Sequence, residues 1–132
     1  MDTQNPIHVV AIGYHRGVLE MGMVQAFANA PCFKLVAILD LEESPLSLQY
    51  TPQNLAVVLN ALYPRPRVLI TGTAILDEML PQIESVWNDY ATRHEVDGLY
   101  LAMSKTHPSP GAPPPPGAIE YAIATLNEKF MK

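Results

Sequence analysis

The chain has 132 residues, 48% of them hydrophobic and 16% charged, with a formal net charge of -5 at pH 7. That length suits one domain with its own core, the composition is globular, and no apolar run reaches the ~18 residues of a membrane span. The acidic balance argues against a general nucleic-acid binder, whose work needs a basic face to displace counterions.

The first element is a nearly continuous apolar run, residues 7 to 13, the pattern of a strand covered on both faces. A helix follows from Arg16 to about Ala30, with Val18, Met21, Val24 or Gln25, and Ala28 at helical spacing and Leu19, Met23 and Phe27 broadening the stripe. Pro31 ends it. The second strand runs from Phe33 to Leu41 and gives way to the polar turn Glu42-Glu43-Ser44-Pro45. Thr51-Pro52 reads as a helix cap with proline at the first helical position. The helix it starts carries Leu55, Val58, Leu59 and Leu62 and closes before Pro64-Arg65-Pro66.

Arg67 to Thr71 is the third strand, and Gly72-Thr73 turns it towards a helix that begins between Ile75 and Pro81. That helix aligns Leu80, Ile83, Val86 or Trp87, and Tyr90. The fourth strand spans Gly98 to Met103. After it, residues 107–117 form a proline-rich loop, with Pro113 to Pro116 stiffened towards polyproline II and barred from a sheet interior. The last helix, Ala118 to about Phe130, directs Ile119, Ala122 or Ile123, Leu126 and Phe130 one way.

Strands alternating with helices imply an α/β fold: a single-domain, three-layer sandwich over residues 1–132 with a parallel, doubly wound, four-stranded sheet. Order 2-1-3-4 is expected, in a Rossmann-like or flavodoxin-like arrangement. In such folds ligands bind beyond the carboxyl ends of the strands, near the point where strand order reverses. That rule gathers Gly13-Tyr14-His15-Arg16-Gly17, Asp40, Thr71-Gly72-Thr73 and Ser104-Lys105-Thr106-His107. Gly13 and Gly17 would let backbone approach a ligand, and the following helix would offer its first amides to an anion. Arg16, Lys105, Thr71 and Thr73 would add donors for phosphate or carboxylate.

With its Gly-bearing turn, helix and apolar strand ending in an acid, the stretch from residue 7 to 40 resembles the nucleotide-binding half of NAD(P)-dependent Rossmann oxidoreductases, the Gfo/Idh-like group in particular. The resemblance implies an NAD(P) cofactor, with Asp40 taking the ribose hydroxyls. Of the family's Gly-x-Gly-x-x-Gly pattern begun at Gly13, the second and third glycines are replaced by His15 and Val18. The second family glycine makes room for pyrophosphate, so the motif is degenerate here. Members of that family that carry out redox chemistry also have a separate substrate domain, which this chain does not contain.

The same residues have plainer readings. His15, His107 and Lys105 are the catalytic candidates, an acid/base pair with a cation for an anionic substrate, or else ordinary loop residues. His8 and His94 lack metal-ligand spacing with Cys32 or another histidine, so no metal site is expected. Met21, Met23 and Met79 read as core. Cys32, the one cysteine, excludes an internal disulfide and fits a reducing compartment; with no targeting signal before Ile7, a cytoplasmic location is expected. Pro110 to Pro116 contains Pro-x-x-Pro, readable by an SH3-type or WW-type groove or simply a crossover loop. The apolar faces of the third and last helices suggest a homodimer anchored by Trp87 and Tyr90.

Two function classes follow. One is a non-catalytic interaction or regulatory domain with a degenerate nucleotide or anion site at the strand ends. The other is a small enzyme or binding protein for a nucleotide-like, carboxylate or phosphate metabolite.

Overall fold

The computed structural model describes residues 6–14, 16–42, 44–109 and 117–131, with side chains apart from those of 16 and 18–21. Strands β1 (Ile7–Gly13), β2 (Phe33–Asp40), β3 (Val68–Thr71) and β4 (Leu99–Ala102) alternate with helices α1 (Arg16–Ala28), α2 (Pro52–Ala61), α3 (Leu80–Arg93) and α4 (Ala118–Phe130). The strands form one sheet in the order β2-β1-β3-β4, and every pairing is parallel. The expected α/β fold and strand order are those observed.

Alternation along β1 builds two cores from one strand. Val9 and Ala11 join Met23 and Phe27 of α1 and Ala118, Ala122 and Leu126 of α4 on one face. Val10 and Ile12 join Leu55 and Leu59 of α2 and Leu80, Ile83, Trp87 and Tyr90 of α3 on the other. Helices on both faces supply the crossovers that parallel strands need. Each fully buried aliphatic side chain in these layers contributes about 1.5–3 kcal/mol of apolar burial.

Local chemistry sets the element ends. Thr51 caps α2 by accepting from the Asn54 amide at 2.9 Å, and Pro52 occupies the first turn, where its missing N–H costs nothing. The chain from Leu76 enters α3 through a 3₁₀ turn, Asp77–Met79, whose Leu76 carbonyl accepts from the Met79 amide at 3.0 Å. Another 3₁₀ turn, Leu46–Leu48, resolves the stretch between β2 and α2 that apolar spacing leaves open. At Val9/Val10 the β1–β2 register shifts by one residue: Val9 faces Leu35 and Val10 faces Ala37. The intervening Val36 is a bulge, which puts Val36 and Ala37 against the same core and brings Asp40 level with Gly13.

Two expectations are corrected. Helix α1 buries Met23 and Phe27, while Val24 is 57% exposed, because the helix is apolar on nearly all sides and the sheet, not the stripe, selects the inner face. Trp87 and Tyr90, expected to anchor a second copy, are 5% and 1% exposed and fill this chain's own core. Their rings lie 5.3 Å apart, and the Tyr90 hydroxyl donates to the Pro66 carbonyl at 2.6 Å. No helix among the described residues is long and apolar enough to cross a membrane.

Candidate functional site

The sheet brings most of the expected residues to one edge. Gly13 pairs with Asp40, Ile12 with Thr71, and Thr71 with Ala102, so the carboxyl ends of all four strands stand in a row. His15 lies outside the described residues, as do the side chain of Arg16 and the loop at Pro113–Pro116. Gly17 sits exposed in the first turn of α1, and a Cβ added there would have no heavy atom within 4 Å. Neither the turn nor packing requires glycine at that position.

Asp40 is fully buried, and its carboxylate is engaged. Ser44 donates to it twice, from Oγ to Oδ2 at 2.7 Å and from the backbone amide to Oδ1 at 3.2 Å. The Asp40 carbonyl accepts from the Tyr50 amide at 2.6 Å, and Gln49 Nε2 donates to the Ser44 carbonyl at 2.8 Å. The connection from β2 to α2 is thus folded around Asp40. Beside it, the Tyr14 hydroxyl donates to Glu42 Oε1 at 2.8 Å, and that bond, with the Glu42 charge, pushes the Tyr14 phenol up from its usual value.

The threonines are also placed inside the edge. Thr71 is buried with Oγ1 3.5 Å from the Tyr100 hydroxyl, whose ionisation burial opposes. Thr73 is buried and its carbonyl accepts from the Ser109 amide at 2.9 Å, which draws the segment after β4 back over the end of β3.

Of the catalytic candidates, Lys105, the expected cation, and His107, one half of the expected acid/base pair, lie on different sides of the sheet. Lys105 is exposed and lines a cleft on the α3 side of the sheet. The His107 ring lies 5.1 Å from that of Tyr121 of α4, tilted by 45°, on the opposite side, with Nδ1 2.9 Å from Thr106 Oγ1.

The cleft beside Lys105 has a volume of about 430 Å³ and is walled by Asp77 of the 3₁₀ turn and Leu80, Pro81 and Glu84 of the first turns of α3, with Ser104 and Pro108 opposite. Ser104 is 5% exposed, and its Oγ is the one buried side-chain polar atom among the described residues that has no hydrogen-bond partner. Buried hydroxyls are ordinarily satisfied. The strand-end rule reaches Ser104 and Lys105 from sequence; it misses Asp77 and Glu84, which become neighbours only when α3 packs on the sheet.

No family model, curated protein or solved structure matches the chain. Among the described residues no three of the His, Cys, Asp and Glu side chains are grouped to hold a metal ion. The edge offers, in sum, an acid at β2 already bonded to Ser44 and a cleft of mixed charge between α3 and β4.

Proposed function

We propose that the chain is a non-catalytic interaction or regulatory domain on a Rossmann-like frame. The observation that carries this reading is the state of Asp40. An acid that takes ribose hydroxyls must present its oxygens to the ligand, whereas this carboxylate is fully buried and receives two hydrogen bonds from Ser44. His15, where the resembled family carries its second glycine, supports the same conclusion.

An anion site at the strand ends and the start of α1 is the second reading, on the glycine-bearing turn after β1 and the cationic Arg16 that follows it. Melting the protein against NAD(H), NADP(H), flavins, coenzyme A and simple nucleotides separates the two, because a ligand that binds the native state raises its melting temperature. The first reading predicts an unchanged Tm throughout. A saturable rise that disappears in Arg16→Ala would replace it with the second.

A further inference from the structure

We propose that the cleft between the start of α3 and the end of β4 binds a small zwitterion, an amino-acid-sized molecule carrying both an ammonium and a carboxylate. This deepens the regulatory reading by giving the domain a ligand. The built feature is Ser104: the residue lines the cleft, and its buried Oγ has no hydrogen-bond partner, which a turn of the side chain towards a ligand would supply.

The other walls specify what could complete it. Asp77 and Glu84 supply two carboxylates and Lys105 one ammonium. A doubly charged phosphate would meet two like charges there. The helix start also offers it little, since the Leu80 amide already donates to the Asp77 carbonyl and Pro81 has no N–H. A ligand ammonium is served by Asp77 and Glu84, a ligand carboxylate by Lys105 with the Ser104 hydroxyl donating, and a short aliphatic stem by Leu80, Pro81 and Pro108. The volume of about 430 Å³ falls at the small end of ligand pockets.

Isothermal titration of the full chain with the twenty common amino acids, 1,4-diaminobutane, succinate and inorganic phosphate, each at about 10 mM, tests this. Saturable binding of at least one amino acid is expected, with none for the other three probes. Ser104→Ala, which removes an unpaired hydroxyl and so leaves folding intact, should weaken that binding roughly tenfold, and Lys105→Glu should do so by a similar factor or more. Binding of no amino acid, binding of phosphate, succinate or diamine in their place, or amino-acid binding unchanged in both variants would overturn the proposal. Those outcomes are independent of the dinucleotide panel, so a failed zwitterion site leaves the non-catalytic reading standing.

Discussion

Ser44 Oγ lies 2.7 Å from Asp40 Oδ2 and donates to it, four residues beyond the end of β2. A hydrogen bond to a buried carboxylate is worth more than a neutral one, about 1.5–3 kcal/mol. Ser44→Ala should lose that amount and melt lower by roughly 3–5 °C per kcal/mol for a chain of this size. Equilibrium urea unfolding checks the free energy; an unchanged midpoint would mean that Asp40 is held without Ser44.

Two glycines should respond oppositely to alanine. A Cβ on Gly98 would collide with the Arg67 carbonyl and stand 3.0 Å from Trp87 Cζ2, where β4 enters the sheet. Backbone cannot step aside as a flexible side chain can, so Gly98→Ala should cost about 1–3 kcal/mol. Gly17→Ala meets open space on a helix and should gain up to about 1 kcal/mol from propensity. Thermal melts of both variants against wild type settle the signs.

Tyr90→Phe keeps the ring against Trp87 and removes the 2.6 Å bond to Pro66. The Pro66 carbonyl is then left without that donor in a buried place, a loss of about 1–3 kcal/mol. Because Tyr90 is 1% exposed, the variant should keep the hydrodynamic mass of wild type in light scattering.

Stability should fall at both ends of the pH range. Burial, followed by the charges of Arg65 and Arg93, holds His94 below the usual histidine value, and its Nε2 lies 2.6 Å from Asn60 Oδ1. As pH drops through about 6.5, the unfolded chain takes up a proton that native His94 resists, so stability declines. Asp97 is lowered by its hydrogen bond and charge contact with Lys129, with a smaller contribution from Arg67; that stability is full above the ordinary carboxylate value and is lost as pH falls through the native one. Burial pushes Tyr50 and Tyr90 up to about 12. Their contribution is full below the ordinary phenol value near 10 and disappears as pH rises towards 12. Denaturant midpoints from pH 4 to 11 should therefore form a dome, and His94→Gln should flatten its limb just below about pH 6.5.

The strands were legible because buried parallel strands read as short apolar runs bounded by turns, and Thr51-Pro52 announces α2 by its capping chemistry. The Val36 bulge was not: Leu35 to Leu39 is apolar without a break, so alternation carries no register there. The inner face of α1 was hidden for the same reason. At the site, the strand-end rule places Asp40, Thr71 and Lys105, yet position alone does not tell an open acid from one bonded to Ser44. Asp77 and Glu84 carry no local signal, since their place beside Ser104 depends on long-range packing of α3.

The most direct test is a melt of wild type and Asp40→Asn, each with and without saturating NADH. Asp40 as a structural acid predicts a lower Tm for the variant without ligand and no NADH-dependent shift in either protein. An unchanged apo Tm in Asp40→Asn, together with an NADH-induced rise in wild type that the variant loses, would contradict it and restore Asp40 as a ribose ligand.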